Sequence, residues 1–242
     1  MKRGEESPVA RTLKRPAVPG EIDRDFQAIR ESRFQLLGGL ACAISCVILF
    51  AWLAEEVFEG DLQRFDSVVR AMIHAHSGPE LTRIMQGLTF LGSSAFLAAL
   101  FVLLVMLFLA RGMRLAAMWL AVAACGSVVL GVSLKLAFQR ARPVPFFGPV
   151  PLSYSFPSGH ALSSLCFYGV LAGLLSARMK NQSARIVTWL ASGALIAGIG
   201  FSRIYLGVHY PTDVIAGYLA AAVWVSTLLF TARMRRRSPK AS

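Results

Sequence analysis

The chain has 242 residues, of which 55% are hydrophobic and 16% are charged, and its formal net charge is +12 at pH 7. Because soluble domains carry about a quarter of charged residues, this composition argues against a soluble globule. The basic residues lie between apolar runs and form no continuous stripe, which argues against a nucleic-acid-binding protein. Composition therefore predicts one domain whose apolar helices are surrounded by lipid.

A hydrophilic N-terminal segment is followed along the chain by six apolar segments. Residues 1–33 are hydrophilic, contain eight Lys or Arg and predict a flexible basic tail. Six apolar segments then come close to the roughly 20 residues that a helix needs to span a bilayer; they are 34–54, 88–110, 115–138, 160–177, 185–203 and 211–231. The sequence thus predicts an all-α polytopic membrane protein, a six-transmembrane-helix bundle over residues 34–231 with a second basic tail at 232–242.

A short amphipathic helix is predicted between the first two spans, lying in the outer membrane interface. Arg64, Asp66 and Arg70 are predicted on its polar face, and the pair His74 and His76 resembles a metal site only weakly. Its apolar positions, which recur at helical spacing, are Leu62, Phe65, Val69, Met72 and Ile73.

The distribution of Lys and Arg predicts the orientation. Most of the 25 lie in the two tails, the 111–114 turn and the 178–185 loop, which share one side of a six-span bundle. By the positive-inside tendency that side is cytoplasmic, so both termini are predicted to be cytoplasmic. Cations that fall on the outer side against this tendency are Lys135, Arg140, Arg142 and Arg203.

The first motif is Lys135-Leu-Ala-Phe-Gln-Arg-Ala-Arg142-Pro143. Lys135 and Arg142 are seven residues apart, so they share a face if the helix continues to Pro143. A lysine point charge and an arginine fork at the mouth of a span suit a phosphate group. The alternative is that these cations snorkel to the interface, and for Arg140 snorkelling is the preferred interpretation.

The second motif, Ser155-Phe-Pro157-Ser158-Gly159-His160, opens the fourth span. The free backbone N–H groups at a helix N-terminus favour an anion there. The Ser158 hydroxyl is positioned to donate to that anion, and Gly159 permits close backbone approach. His160 then lies beside the anion as a proton donor. The alternative is an ordinary N-cap followed by an interfacial histidine.

The third motif is Ser202-Arg203-Ile-Tyr-Leu-Gly-Val-His209-Tyr-Pro-Thr-Asp213, and Asp213 is the sole acidic residue after Leu81. A lone carboxylate in an apolar region is costly and therefore a functional candidate. Asp213 can hold one ring nitrogen of His209 and leave the other free, as in a nucleophile and its orienting partner. The alternative is a pair that only caps the sixth span. Arg203 ends the fifth span on the same side.

Taken in order, K-x6-R-P, P-S-G-H and S-R-x5-H-x3-D resemble the signature of the phosphatidic acid phosphatase type 2 family, which includes membrane lipid phosphatases and shares its site with vanadium haloperoxidases. No motif position departs from the pattern, and the resemblance covers residues from about 60 to 230. It implies that His209 is the nucleophile, Asp213 its orienter and His160 the general acid. It also implies a phosphate site formed by Lys135, Arg142, Ser158, Gly159 and Arg203.

The resulting prediction is a phosphatase of the extracytoplasmic face, in a bacterial inner or plasma membrane, that hydrolyses a lipid phosphomonoester or diphosphate through a phosphohistidine. Neither a metal nor another cofactor is expected, because Asp213 is already engaged and no other carboxylate is at hand. By resemblance, candidate substrates are undecaprenyl diphosphate, phosphatidic acid, phosphatidylglycerophosphate and the phosphate of lipid A. A lipid phosphotransferase is the main alternative and an anion transporter a weaker one. The expected partners are the lipid phosphate and the bilayer, with no nucleic acid, and the oligomeric state stays open.

Overall fold

The protein is all-helical throughout the residues that the structure, a computed structural model, describes: the backbone of 19–237 and the side chains of 37–231. No strand occurs in that range, which confirms the predicted all-α class. The chain divides into two units, 1–39 and 40–242, and all three motifs lie in the second. The helices are α1 Pro19–Glu59, α2 Gln63–Ala75, α3 Pro79–Leu91, α4 Ser94–Ala110, α5 Arg114–Phe138, α6 Gly159–Ser176, α7 Gln182–Tyr205 and α8 Pro211–Arg237.

Within the described residues, five helices are long and apolar enough to cross a membrane: α1, α5, α6, α7 and α8. The pair α3 and α4 gives a sixth span when counted as one, although it is bent by 49°. The predicted span at 88–110 therefore corresponds to two helices, α3 and α4, and α3 begins earlier than predicted, at Pro79. Its break is stabilised by Ser93, whose side chain accepts a hydrogen bond from the Phe96 backbone N–H at 3.3 Å and caps α4.

Helices enter both segments that the sequence predicts as tails. Helix α1 begins at Pro19 and α8 continues to Arg237. Residues 20–33 and 232–237 contain no proline, so the helices can continue into hydrophilic sequence. The rest of the predicted tails, residues 1–18 and 238–242, lies outside the described residues.

Helix α6 is the centre of the bundle and packs against α5, α7 and α8. Its buried side chains, including Leu162 and Phe167, belong to the core, whereas large apolar side chains such as Leu103, Val129 and Leu190 cover the outside. Apolar residues on both the inside and the outside are typical of a helix bundle surrounded by lipid, where no polar face is required.

Two helix N-termini meet at one end of this bundle. Gly217 of α8 lies against the first turn of α6, because a Cβ atom at Gly217 would be 2.7 Å from the carbonyl oxygen of Ser158. The Ser158 backbone N–H also donates to the Asp213 carbonyl at 2.9 Å. The glycine therefore brings the second and third motifs into contact.

Helix α2 lies where the amphipathic helix was predicted, but the prediction of which face points inward is wrong in part. Asp66 is 0% exposed, while Phe65 and Met72 are 46% and 62% exposed. In a membrane protein the apolar side chains can face lipid, and a charge is placed inward where it has a partner. Asp66 of the predicted polar face is consequently part of the protein interior, Arg70 is half-buried, and Arg64 is exposed.

Candidate active site

The three predicted motifs come together at the same end of the bundle. Lys135 lies in the last turn of α5, and Arg203 in the last turn of α7. Ser158 precedes α6, His209 lies in the connection between α7 and α8, and Asp213 lies in the first turn of α8. Gly159 lies against Lys135, Arg142 lies against His209, and His160 occupies the first turn of α6 at the same end.

His209 and Asp213 form a buried pair. The His209 side chain is 1% exposed, and its Nδ1 lies 3.3 Å from Asp213 Oδ2. An ionised carboxylate only accepts, so Nδ1 carries the proton and Nε2 keeps its lone pair. Burial lowers the pKa of His209 to about 4 against the opposing effect of Asp213. At neutral pH, therefore, His209 is an uncharged imidazole whose Nε2 can act as a nucleophile.

The Asp213 carboxylate is fixed by several donors besides His209. Oδ2 accepts from the Ser155 hydroxyl and from the Tyr210 backbone N–H, the latter at 2.9 Å. Oδ1 accepts from Arg140 NH1 at 2.7 Å. A carboxylate with charged and neutral donors on both oxygens cannot rotate freely, so its orientation toward His209 is defined.

Arg142 faces the other side of the imidazole. Its NH1 lies 3.0 Å from His209 Nε2 and donates to the Val208 carbonyl at 2.7 Å. The predicted shared helical face with Lys135 is wrong, because α5 ends at Phe138 and Gln139 adopts a left-handed conformation with φ of 45°. The chain leaves the helix axis at Gln139, and the non-helical segment that follows places Arg142 beside His209.

Lys135 and Arg203 are held by neutral partners. Lys135 Nζ donates to the Tyr154 carbonyl, and Arg203 NH1 donates to the Thr89 hydroxyl. Lys135 lies over the start of α6, since a Cβ atom at Gly159 would be 3.8 Å from its Cε. Because no carboxylate neutralises either cation among the described residues, both remain available to an anion.

Two donors in this group are buried and lack a hydrogen-bond partner within the described part of the chain: Ser158 Oγ and Arg203 Nε. Leaving a buried donor unsatisfied costs roughly 1–3 kcal/mol. Ser158 is the N-cap residue of α6, as the alternative interpretation had it, but its hydroxyl makes no capping bond. Unsatisfied donors beside two cations suit a ligand with several acceptor oxygens.

His160 lies within reach of the same charges. Arg203, His209, Arg142 and Lys135 are all close enough to act electrostatically on its ring. A Cβ atom at Gly92 would be 3.2 Å from His160 Cδ2, so the glycine at the α3–α4 break makes room for the imidazole. The sequence analysis missed this role, although the Gly-Ser-Ser run at 92–94 is a signal for a helix break.

Arg140 does not snorkel, and that interpretation is wrong. Its NH1 contacts Asp213 Oδ1 at 2.7 Å, and its NH2 contacts Asp66 Oδ2 at 2.8 Å. Burial opposes its charge, but the Asp213 and Asp66 carboxylates outweigh that effect and raise the pKa of Arg140. Two buried carboxylates need a partner, and the Arg140 guanidinium is that partner. The sequence analysis missed both Arg140 and Asp66.

His74 in α2 and His76 directly after it are engaged elsewhere. His74 stacks on Phe146 with ring centroids 3.9 Å apart, and His76 Nδ1 lies 2.8 Å from the Met72 carbonyl. Within residues 37–231, moreover, three or more His, Cys, Asp or Glu side chains nowhere converge as they would around a metal ion.

The PAP2 superfamily model matches residues 115–237, which include all three motifs. The chain belongs to the PAP2 superfamily. It is similar to phosphatidylglycerophosphatase B of Bacillus subtilis, with 31% identity over 72% of this chain and 87% of that protein. It is also similar to an undecaprenyl-diphosphatase of Sulfolobus acidocaldarius, with 33% identity over 42% of this chain and 48% of that protein.

Solved structures show the same family and fold. The crystal structure of a transmembrane PAP2 type phosphatidylglycerolphosphate phosphatase from Bacillus subtilis matches with a TM-score of 0.71 and 26% identity, covering 83% of this chain and 98% of that one. The structure of Aquifex aeolicus LpxE matches with a TM-score of 0.53 over 68% of this chain and 94% of that one. The predicted family and membrane-helix fold are thus confirmed, and the chain is an integral-membrane phosphatase of the PAP2 superfamily.

Proposed function

We propose that this PAP2 phosphatase hydrolyses a lipid phosphomonoester or diphosphate without a metal, through a phosphohistidine on His209. The observation that carries the proposal is the His209 ring itself, whose Nδ1 faces Asp213 and whose Nε2 faces the cation Arg142. Relatives named as phosphatidylglycerophosphatase B, undecaprenyl-diphosphatase and lipid A 1-phosphatase support a lipid phosphate as the substrate class.

In the proposed first step, His209 Nε2 attacks phosphorus in line with the leaving oxygen. The N–P bond forms as the P–O bond to the lipid breaks, and His160 donates a proton to that oxygen. In the second step, His160 accepts a proton from water, and the water oxygen attacks phosphorus. The N–P bond then breaks, inorganic phosphate leaves, and both histidines return to their starting states.

The remaining site residues are proposed to hold the phosphoryl oxygens. Phosphoryl transfer depends on positioned positive charge and donors around the equatorial oxygens. Lys135, Arg142 and Arg203 supply the charge, while the Ser158 hydroxyl and the backbone at Gly159 supply neutral donors. This arrangement accounts for the buried Ser158 Oγ and Arg203 Nε, which have no partner among the described side chains.

Phosphate release from a panel of pure lipid phosphates tests the function and the substrate together. Purified protein in detergent would be given phosphatidylglycerophosphate, phosphatidic acid, undecaprenyl diphosphate and a lipid A phosphate, each with excess EDTA. We expect release from at least one of them, undiminished by the chelator. Inactivation by EDTA that is reversed by a divalent cation would contradict the metal-free reaction. Appearance of phosphate on an added alcohol instead of in solution would identify a phosphotransferase.

The distribution of basic residues further supports an active site on the extracytoplasmic side, with both termini cytoplasmic. Leu152, which is fully exposed beside the site, would be replaced by cysteine in a chain whose own four cysteines are changed to serine. We expect an impermeant thiol reagent to label Leu152→Cys in intact cells. The matched variant Lys180→Cys, in the α6–α7 connection, should be labelled only after lysis. The reverse pattern would contradict the orientation and place the substrate in the inner leaflet.

Replacing His160 with alanine is expected to slow the hydrolysis of lipid phosphates more than the hydrolysis of p-nitrophenyl phosphate. A lipid alkoxide needs a proton when it leaves, whereas nitrophenolate needs little, and a general acid contributes about 10²- to 10⁴-fold for a poor leaving group. The measurement is kcat on both substrates for the wild type and His160→Ala. Equal losses on the two substrates would contradict the acid role and indicate that His160 only positions the phosphate.

Replacing Arg203 with alanine is expected to lower kcat/KM by about 10²- to 10³-fold, because a buried cation beside the phosphate stabilises the transition state. Arg203→Lys should recover part of this loss, since it restores the charge without the guanidinium fork. Arg83→Ala removes an exposed arginine from α3 and serves as the matched control. Equal activity in the Arg203→Ala and Arg83→Ala variants would exclude Arg203 from the phosphate site.

A further inference from the structure

Asp66, on α2, carries a buried carboxylate that contacts the start of α8, next to the pair of His209 and Asp213. Asp66 is 0% exposed and lies outside the segment that the family model matches. Its Oδ1 accepts from the Thr212 backbone N–H at 3.0 Å, and its Oδ2 accepts from the Thr212 hydroxyl at 2.6 Å and from Arg140 NH2 at 2.8 Å. Asp66 thus caps the first turn of α8, immediately beside Asp213.

The guanidinium of Arg140 joins this carboxylate to the site. One arm, NH2, is held by Asp66, and the other arm, NH1, contacts Asp213 Oδ1 at 2.7 Å and Thr212 Oγ1 at 2.9 Å. The Tyr210 ring lies against the same guanidinium, 4.1 Å from its central carbon to the ring centroid. Because the guanidinium is planar and rigid, fixing one arm fixes the direction of the other.

We propose that Asp66 is a positioning residue for the phosphatase reaction, which orients the carboxylate of Asp213 toward His209 by holding Arg140. The Arg140 contact occupies Asp213 Oδ1, so the second oxygen, Oδ2, is the one that faces His209 Nδ1 at 3.3 Å. This inference rests on the proposed nucleophilic role of His209. It adds α2 to the elements that the reaction requires.

Electrostatics gives the reason for a second carboxylate at this place. Arg140 alone would be drawn entirely to Asp213, free to swing around it and to compete with His209 for Oδ2. Asp66 provides an opposing attraction on the far arm, which keeps NH1 on Oδ1. Asp66 makes no contact with Lys135, Arg142, Ser158 or Arg203 among its hydrogen bonds, so its loss should alter turnover and leave phosphate binding intact.

The test compares kcat and KM for phosphate release by Asp66→Asn in two backgrounds, the wild type and Asp213→Asn. In the wild type we expect kcat to fall by about tenfold to 100-fold with KM changed by less than about threefold, because only the orientation of the nucleophile is disturbed. In the Asp213→Asn background the same change should have almost no effect, since Asp66 acts through Asp213. Asp61→Asn, an exposed acid just before α2, is the matched control and should behave as wild type.

Each alternative outcome is decisive. An Asp66→Asn loss of the same size in both backgrounds would show that Asp66 only supports the fold, and an Asp66→Asn enzyme as active as Asp61→Asn would exclude any role. If Asp66→Asn does not fold, Arg140→Lys is used in the same cycle, because a lysine keeps the charge but cannot bridge both carboxylates. Failure of both variants to fold would assign the pair to folding and overturn the proposal. Full activity of His209→Ala would instead overturn the proposed function itself.

Discussion

Replacing His209 with alanine is expected to abolish phosphate release. The covalent step needs a nucleophile, and in the described part of the site His209 is the imidazole that a carboxylate holds. The imidazole is buried, uncharged at neutral pH and oriented by hydrogen bonds at both nitrogens. We expect residual activity below the detection limit of a phosphate assay, while insertion in the membrane and the elution volume in detergent stay as in the wild type.

His76→Ala is the matched control for this experiment. His76 directly follows α2, where its Nδ1 lies 2.8 Å from the Met72 carbonyl of that helix, so its loss should leave turnover unchanged. A His209→Ala enzyme that kept a tenth of the wild-type rate would contradict the nucleophilic role. Trapping of a labelled, acid-labile phosphoprotein in the wild type, absent from His209→Ala, would identify the intermediate directly.

Replacing Asp213 with asparagine is expected to lower kcat by about 10²- to 10⁴-fold, by analogy with other carboxylate–histidine pairs. An asparagine has the same shape, but its amide group presents one donor and one acceptor instead of two acceptors. It can no longer accept from Arg140, Ser155 and His209 together, so the imidazole takes the wrong tautomer or rotates. The nucleophile remains present, which is why the loss should be smaller than in His209→Ala.

The measurement is again phosphate release, with kcat and KM determined separately. Because the Asp213 carboxylate contacts the imidazole and none of the side chains proposed to hold the phosphate, we expect the change mainly in kcat. Asp213→Asn is also predicted to be less stable, since Arg140 would retain only Asp66 as a charged partner. An unchanged kcat would show that the pair of Asp213 and His209 serves only to cap α8.

Much of this protein follows from local sequence patterns. Apolar segments of about 20 residues predict the spans, because a membrane helix must cover its own backbone hydrogen bonds with apolar side chains. The membrane-helix fold was therefore predictable from residue type and spacing, and the family from the resemblance of the three motifs to its signature. Gly159 and Pro211 also marked the helix starts at which motif residues lie, whereas Pro143 did not mark the end of α5, which lies earlier, at Phe138.

Tertiary structure alone decided how the charges are partnered. Arg140 and Asp66 are 74 residues apart, and Arg140 and Asp213 are 73 apart, so no periodic pattern connects them. The sequence patterns predicted Asp66 on the polar face of an interfacial helix and Arg140 at the membrane interface. Isolated charges have the smallest desolvation free energy at such positions. Folding instead brings the three side chains together in the interior, where each charge offsets the desolvation of the others. That compensation depends on contacts between α2, the segment after α5 and α8, and it arises only when the helices pack.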